Sequence, residues 1–199
     1  MSNSSFFAML SRMKYIQRWA LMRNTYRENI CEHTAEVAML SHALALITNR
    51  RFGGTVNAER CVMLALYHDV PEILTGDMPT PIKYHDDTLK TAYTQVERGA
   101  AERLLSRLPD DLREDYTAYL LPESDGDMES RLVKAADKLS ALINCVEELK
   151  MGNAEFSRAK DSIERGLRWM DLPAVDCFLE EFLPAYTLTL DEQESDGEG

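Results

Sequence analysis

The sequence predicts an all-α protein with a single domain of about six to eight helices. Apolar residues recur with a helical period along most of the chain, and no stretch alternates as a strand does. Seven prolines and nine glycines among 199 residues leave long segments without helix breakers. We expect residues 1–190 to share one core, and the acidic, apolar-free residues 191–199 to be disordered.

Two predicted helices occupy the first part of the chain. Apolar residues spaced for one face predict a helix over residues 4–16, and the mixed sequence of residues 17–24 predicts a loop. A second helix is expected to begin near Glu32, because apolar residues follow the helical period from there onward. The pair Gly53-Gly54 is a strong signal for its end.

A third helix leads into the densest group of chemically active side chains in the sequence. Asn57 is a suitable N-cap for it, and Pro71 ends it near residues 68–69, since a proline disfavours helical geometry in the residue before it. Residues 72–75 are expected to form a short helical turn that begins at the proline. The glycine and prolines of residues 76–81 then predict a loop of fixed shape.

The rest of the chain is expected to form five more helices. Their bounds follow from apolar periodicity and from the prolines and glycines between them. The predicted ranges are 84–107, 111–120, 128–150, 154–169 and 172–187.

The composition argues against nucleic acid and membranes as partners. The formal net charge is −12, and an acidic surface repels phosphate backbones and anionic lipids. No apolar run reaches the roughly 18 residues that a membrane span needs. Arg12 and Lys14 follow the apolar N-terminal residues instead of preceding them, so we expect no signal peptide. Four cysteines without a CxxC pair indicate reduced thiols, and we expect a cytoplasmic protein.

Four ionisable residues stand on or beside the apolar faces of the predicted helices. They are His33, His68, Asp69 and Asp137. Burying such groups is costly without a partner. Taken alone, His33 is more often a satisfied structural histidine, and a His-Asp dipeptide is a weak signal. Asp137 alone is as often one half of an ion pair, with Lys134 or Lys138 as its partner.

Together, the four residues make a mixed nitrogen and oxygen donor set on three helices. Two histidines and two aspartates suit Mn, Co, Fe, Ni or Zn better than Mg or Ca. Four protein ligands leave positions on an octahedral ion for water and a substrate. Water on such an ion is a usable nucleophile near neutral pH. The sequence therefore predicts a divalent-metal site for hydrolysis.

The order of these residues resembles the H…HD…D signature of the HD-domain metal-dependent phosphohydrolases. Further segments are similar to those of the bacterial 5′-deoxynucleotidase family (YfbR-like), and the resemblance covers about residues 5–190. These segments are residues 18–19, 29–33, 52–54, 67–69, 74–81 and 134–137. The sequence Thr-Gly-Asp-Met-Pro-Thr-Pro at 75–81 and the early Arg-Trp pair make the similarity specific to this family.

The resemblance implies a metal site and a catalytic set. One divalent metal is expected on His33, His68, Asp69 and Asp137. Glu72 is expected to be the catalytic carboxylate, which either orients the attacking water or protonates the leaving 5′-oxygen. Arg18 and Asp69 complete the expected catalytic set, because a guanidinium offers paired donors to phosphate oxygens.

The resemblance also implies a substrate site. Trp19 is expected to line the nucleoside site, Asp77 to accept a hydrogen bond from the sugar 3′-hydroxyl, and the loop through Thr80 to close around the sugar. The full expected set is Arg18, Trp19, His33, Asp69, Asp77, Met78, Pro79, Thr80 and Asp137.

Each of these residues also has a plain structural interpretation. Arg18 could be a solvated cation, and Trp19 could anchor the first helix to the core. Glu72 is favourable to the helix dipole in the turn after the proline, and Asp77 after a glycine is common turn chemistry.

The resemblance implies hydrolysis of deoxyribonucleoside 5′-monophosphates to deoxyribonucleoside and phosphate by a homodimer. Cobalt or manganese is the favoured metal, and zinc, nickel, iron or copper also suits the ligand set. Two alternatives stay open. One is another phosphohydrolase of the superfamily, a dNTP triphosphohydrolase or a phosphodiesterase, although the acidic charge disfavours a triphosphatase. The other is a non-catalytic nucleotide-sensing module, which the retention of all four ligands and Glu72 disfavours.

Overall fold

The computed structural model describes residues 4–83, 85–123 and 126–195, with Thr80 described by its backbone only. Every regular element in these ranges is helical, which confirms the all-α prediction. Seven helices have nine or more residues, within the expected number. The α-helices are α1 Phe6–Leu10, α2 Ile30–Arg51, α3 Ala58–Tyr67, α4 Glu72–Thr75, α5 Thr80–Lys83, α6 Asp87–Leu105, α7 Asp110–Leu120, α8 Met128–Lys150, α9 Ser157–Arg168, α10 Pro173–Glu181 and α11 Leu190–Ser195. Short 3₁₀ turns lie at Met13–Tyr15, Ala154–Phe156 and Leu183–Thr187.

The first predicted helix is broken in the structure. α1 ends at Leu10, and the 3₁₀ turn at Met13–Tyr15 replaces the rest of the predicted range. At the break, the Ser11 hydroxyl donates to the Phe7 carbonyl at 3.1 Å. A serine that bonds back to the preceding turn bends a helix, which apolar spacing alone does not reveal.

Capping side chains set the start of the two longest helices. α2 begins two residues before the predicted Glu32, because Asn29 and Glu32 form a reciprocal capping box across its first turn. α8 begins at the predicted residue, where the Asp127 side chain accepts the Ser130 N–H. These caps fix which residues of α2 and α8 face each other.

The main core lies where α2, α3 and α8 pack together. Its members include Leu44 of α2, Cys61 of α3 and Leu139 and Leu142 of α8, all fully buried. Burying one leucine side chain stabilises the folded state by about 1.5–3 kcal/mol. α9 and α10 close this core through Leu167 and neighbouring apolar residues, so the three central helices form a rigid frame.

A second apolar cluster holds the segment that follows α3. Val70 and Ile73, on either side of the Pro71 turn, pack with Phe6 of α1 and Leu104 of α6. Tyr116 of α7 stacks edge-on against Phe6 at 5.1 Å between ring centroids. The second apolar cluster therefore holds the residues between α3 and α4 in place.

Residues 191–195, which composition alone predicts to be disordered, are helical in the structure. Thr189 and Glu192 form a capping pair, with the Thr189 N–H donating to the Glu192 carboxylate at 2.7 Å. The Gln193 side chain also donates to the Ala185 carbonyl at 3.1 Å. These local bonds are what the compositional prediction missed, and residues 196–199 lie outside the described residues.

None of the described helices combines the length and the apolar character needed to cross a bilayer.

Candidate active site

His33 enters the site from the first turn of α2. The ring is fully buried, and its Nδ1 lies 2.9 Å from the Ser140 hydroxyl oxygen. Its Nε2 lies 3.2 Å from Asp137 Oδ1 and 3.5 Å from Asp69 Oδ2, but forms no hydrogen bond with any described residue. One ring nitrogen is thus occupied by the protein frame, and the other faces two carboxylates.

His68 and Asp69 reach the same point from the end of α3. The backbone tightens there, with bonds from Val70 N–H to the Tyr67 carbonyl and from Glu72 N–H to the Asp69 carbonyl. Such three-residue bonds are those of a 3₁₀ turn, which places adjacent side chains differently from a regular helix. Both side chains consequently converge, with His68 Nε2 at 3.2 Å from Asp69 Oδ2.

The His68 ring is oriented by the backbone. Its Nδ1 lies 2.6 Å from the Ala65 carbonyl oxygen, which can only accept a hydrogen bond, so Nδ1 carries the proton. Its Nε2 is buried and makes no hydrogen bond within the described ranges of the chain. The lone pair of a neutral His68 therefore points toward the carboxylates.

Asp137 completes the group from the middle of α8. Its side chain is 43% exposed, and its ion pair is with His33. Of the four, the imidazoles and Asp69 each bring one donor atom within 4.8 Å of the others. The structure therefore groups His33, His68 and Asp69, and it places Asp137 beside this group through its 3.2 Å approach to His33 Nε2.

The donor set fits a divalent ion. Two buried histidine nitrogens lack hydrogen bonds among the described residues, and both rings are held at their opposite nitrogen. That is the arrangement in which protein histidines bind metals, because the second nitrogen fixes the tautomer and the ring plane. His33, His68, Asp69 and Asp137 could hold the ion.

Charges inside the group shift its pKa values in opposite directions. Burial lowers the pKa of His68, but the Asp69 carboxylate outweighs this effect and raises that pKa to about 9. Burial raises the pKa values of Asp69 and Asp137, yet the neighbouring histidines hold both below the ordinary aspartate range. Without a metal, these shifts favour a protonated His68 beside two ionised aspartates. A metal cation can replace that proton and balance the same negative charge.

Glu72 lies at the start of α4 and is 7% exposed. Burial, with the nearby charges of Asp69 and Asp77, raises the pKa of Glu72 to about 9. Its Oε2 has no hydrogen-bond partner in the described part of the chain. A dipole interaction with α4 does not explain this placement, because a neutral carboxyl gains little from a helix N-terminus.

Arg18 and Trp19 sit in the loop before α2 and share one carboxylate. Arg18 Nη1 donates to Glu28 Oε2 at 2.6 Å, and the Trp19 indole N–H donates to the same oxygen at 3.2 Å. The Arg18 side chain is 12% exposed. Burial lowers the pKa of Arg18, but the charges of Glu28, Asp137 and other carboxylates outweigh that effect. The net pKa is raised, so the guanidinium stays charged. Arg18 is therefore a buried cation facing the site and not a solvated one.

Trp19 is partly a core anchor. Its ring packs edge-on against Phe156, with ring centroids 5.3 Å apart. Its backbone has φ 59°, the left-handed region that non-glycine residues rarely adopt. The indole is thus fixed by three constraints, a hydrogen bond, a ring contact and an unusual backbone.

The loop after α4 carries the remaining predicted substrate residues. Gly76 has φ 73°, and the Tyr93 hydroxyl donates to its carbonyl at 3.3 Å. Burial raises the pKa of Asp77, which lies near enough to Arg18 for the two charges to interact. Met78 and Pro79 follow, half-buried, and the side chain of Thr80 lies outside the described residues.

A cavity of about 540 Å³ opens beside the group. His68, Asp69, Glu72 and Asp137 line one end of it. Its other walls include two tyrosines and four cations, namely Tyr67, Tyr119, Lys83, Arg98, Lys134 and Lys138. The volume suits a small ligand. Within the described ranges, the predicted residues Arg18, Trp19 and Asp77 do not line this cavity, so they approach the group from another side.

Sequence reasoning missed three residues that hold the predicted ones in place. They are Glu28, Glu36 and Ser140. Ser140 lies one turn after Asp137 on α8, a spacing that could have singled it out. No sequence pattern singles out Glu28 or Glu36, because their hydrogen-bond partners are brought close only by the fold.

Comparisons with known proteins agree with this geometry. The sequence model of the 5′-deoxynucleotidase YfbR-like family matches residues 5–186. The chain is 47% identical over 192 residues to a 5′-deoxynucleotidase of Vibrio parahaemolyticus, covering 96% of this chain and 99% of the relative. It is 46% identical to a 5′-deoxynucleotidase of Pectobacterium atrosepticum, covering 98% of each.

Among solved structures, an HD-domain phosphohydrolase of Listeria innocua has the same fold. The TM-score is 0.81 at 23% identity, covering 96% of this chain and 92% of the other. The helical frame has the fold of this HD-domain phosphohydrolase, and it carries a histidine-aspartate group that could hold a metal. With the family match over nearly the whole chain, the protein belongs to the YfbR-like 5′-deoxynucleotidase family.

Proposed function

We propose that this protein hydrolyses deoxyribonucleoside 5′-monophosphates to deoxyribonucleoside and phosphate at the group formed by His33, His68, Asp69 and Asp137. One observation carries the proposal: two imidazoles turn buried, unbonded Nε2 atoms toward two aspartates, and a buried carboxyl, Glu72, lines the same cavity as His68 and Asp69. A bound divalent ion supplies charge neutralisation at the phosphate and lowers the pKa of water. The names of the close relatives support the choice of substrate.

In this proposal, Glu72 acts as a proton donor. A carboxyl with a pKa of about 9 keeps its proton at neutral pH, and the leaving 5′-oxygen needs one as its bond to phosphorus breaks. Burial is the largest cause of this raised pKa, ahead of the charges of Asp69 and Asp77. Of the two roles open to Glu72, its burial therefore favours protonation over orienting water.

Arg18 and Trp19 bind the substrate in this proposal. Arg18 brings a charged guanidinium toward the aspartates, where it can stabilise charge on a phosphate. Its bond to Glu28 leaves other N–H groups of the fork for phosphate oxygens. Trp19 presents an indole to the nucleoside, and the loop of Asp77, Met78, Pro79 and Thr80 binds the sugar.

The finer assignments belong to the same proposal. Residues 1–190 form one catalytic domain, and two chains form a homodimer in the cytoplasm. Cobalt or manganese is the favoured metal, and zinc, nickel, iron or copper also suits two imidazoles with two carboxylates. The net charge of −12 makes nucleic acid and anionic membranes poor partners.

The direct test is phosphate release by metal-stripped protein. The substrates are dAMP, AMP, dATP and 3′-dAMP, each with Mn²⁺ or Co²⁺ and each with chelator. We expect metal-dependent release from dAMP and little from the others. Equal phosphate release from AMP contradicts the exclusion of ribonucleotides. No release with any metal, despite nucleotide binding, contradicts the hydrolase and supports a nucleotide sensor.

One observation favours a second candidate, the dNTP triphosphohydrolase. Four cations line the cavity beside the site, which is more than the acidic composition leads one to expect. Two of them are engaged in ion pairs, Lys83 with Glu97 at 2.8 Å and Arg98 with Glu102 at 3.2 Å. A dNTP triphosphohydrolase converts dATP and water to deoxyadenosine and triphosphate, without free phosphate. Detection of these two products by chromatography of the dATP reaction supports this candidate over the monophosphatase.

A further inference from the structure

A chain of three polar groups begins at His33, with His33 and Ser140 fully buried and Glu36 half-buried. Ser140 of α8 is fully buried, and its hydroxyl donates to Glu36 Oε2 on α2 at 2.5 Å. The same hydroxyl oxygen lies 2.9 Å from His33 Nδ1. The chain runs from His33 through Ser140 to Glu36, across the interface between the two longest helices.

The direction of these bonds fixes the proton of His33. A serine hydroxyl carries one proton, and here that proton goes to Glu36. Toward His33, the Ser140 oxygen can then only accept, so Nδ1 must carry the hydrogen. In a neutral ring this leaves Nε2 with its lone pair, which faces Asp69 and Asp137.

His33 and His68 are held in different ways. The partner of His68 Nδ1 is the Ala65 carbonyl, which has no proton to give and sets the tautomer unaided. A hydroxyl can turn and act as donor or acceptor. His33 therefore depends on a further group that takes up the Ser140 proton, and Glu36 is that group.

Glu28 cannot replace this chain. Its Oε1 lies 3.8 Å from His33 Nδ1, beyond hydrogen-bond distance. Its other oxygen is engaged by Arg18 and Trp19. Ser140 is thus the hydrogen-bond partner that the structure gives to His33 Nδ1.

We propose that Ser140 and Glu36 are positioning residues that hold His33 in the Nδ1–H tautomer and thereby set the affinity of the site for its metal. The inference rests on the metal site of the proposed function and not on the identity of the substrate. Outer groups that orient a metal-binding histidine change metal affinity by about 10–100-fold when they are removed.

Three variants separate this role from packing. Ser140→Ala removes the acceptor. Glu36→Met keeps the length of the side chain but offers no acceptor, so the Ser140 proton can turn to His33 Nδ1 and favour the Nε2–H tautomer. Glu36→Gln keeps a carbonyl oxygen that can accept the serine proton. The matched control is Ser41→Ala, which removes a second buried serine, located on α2, whose hydroxyl donates to the Ala38 carbonyl.

The first measurement is the tautomer of His33 in metal-free protein, read from the ¹⁵N shifts of the ring nitrogens at a pH where the ring is neutral. We expect an Nδ1–H ring in the native protein, in Glu36→Gln and in Ser41→Ala. Glu36→Met and Ser140→Ala should show a larger share of Nε2–H. A structural role alone does not move this signal.

The second measurement is the dissociation constant of Mn²⁺ or Co²⁺ by calorimetry. Ser140→Ala and Glu36→Met should bind about 10–100-fold more weakly, and the other two variants within about threefold of the native protein. If Glu36→Met does not fold, Ser140→Ala alone decides. A native tautomer and native affinity in a folded variant overturn the inference, whereas absence of metal binding by the native protein overturns the proposed function itself.

Discussion

At the scale of single residues, the burial of Glu72 has a direct kinetic consequence. Glu72→Gln removes the proton that we assign to the leaving oxygen but keeps the shape of the side chain. We expect kcat to fall by about 10²–10⁴-fold, the usual size of a general-acid contribution. Metal affinity should change little, because Glu72 is outside the group of four ligands.

The matched control for this change is Glu59→Gln, an exposed carboxyl in the first turn of α3, on the helix that leads to the site. Its kcat should stay near that of the native protein. If Glu72→Gln hydrolyses dAMP with the native kcat, the proton-donor role is contradicted. If the variant instead loses metal binding, Glu72 contributes to the metal site.

The proposed metal ligands could be predicted from the sequence, but the residues that support them could not. His33, His68, Asp69 and Asp137 could be named because the resemblance fixes them at given positions and each stands on an inward helix face. Ser140 and Glu36 lie 104 residues apart, so no local pattern joins them. Supporting contacts of this kind arise from the packing of α2 on α8 and become visible only once the fold is known.

At the scale of elements, Glu148 ties the loop that carries Arg18 and Trp19 to α8. Its carboxylate accepts the backbone N–H groups of Thr25 and Tyr26 at 2.8–3.1 Å and the Asn153 amide at 2.7 Å. Glu148→Ala leaves these donors without their acceptor. We expect a loss of roughly 2–3 kcal/mol in the free energy of unfolding, measured by urea denaturation at neutral pH.

The same contacts make this contribution depend on pH. Burial raises the pKa of Glu148, but the hydrogen bonds from Asn153, Thr25 and Tyr26 outweigh it, so the folded pKa lies below the ordinary 4.5. A lowered carboxyl pKa stabilises the folded state above the unfolded value, and that stabilisation is lost as the pH falls through the folded pKa. The stability gap between native protein and Glu148→Ala should therefore be full above about pH 4.5 and shrink below it.

The nearby Glu147→Ala is the comparison for Glu148, since it removes an exposed carboxylate from the same turn of α8. It should cost little stability. A Glu148→Ala protein as stable as Glu147→Ala at neutral pH would show that the loop does not depend on this anchor.

Element bounds were predictable from sequence wherever capping residues and breakers stood close together. Asn57 and Pro71 predicted the bounds of α3 and α4 to within two residues, and apolar periodicity with the glycine at 152 predicted those of α8. The failures have local causes as well. The bend after α1 comes from one serine hydroxyl, and the helix at 190–195 from one threonine cap, neither of which alters apolar periodicity or composition.

At the scale of the whole molecule, the four proposed metal ligands lie on α2, on α8 and at the end of α3, the helices that build the main core. An ion bound there should raise the stability of the entire fold, because it binds the folded protein and not the separated ligands. At a metal concentration 100 times Kd the gain is about 2.7 kcal/mol. For a chain of this size, that gain raises Tm by about 5–10 °C.

The measurement is a melting curve of chelated protein titrated with Mn²⁺ or Co²⁺. His68→Ala should remove the rise in Tm, since it deletes one of the four proposed ligands, whose side chain is 17% exposed. The control is His42→Ala, on the exposed face of α2. An equal rise in His68→Ala and native protein contradicts the assignment of His68 to the metal.

The left-handed backbone at Trp19 bears on how that residue should be dissected. An L-residue at such a φ costs about 1–2 kcal/mol, and this cost falls on any side chain except that of glycine. Alanine scanning would keep the backbone penalty while deleting the indole and its contact with Phe156. The native protein and Trp19→Ala carry the same penalty, which cancels between them, so the alanine replacement reports the contribution of the ring. Glycine deletes the same ring but also removes the penalty, so the glycine result alone would understate how much the fold relies on the ring.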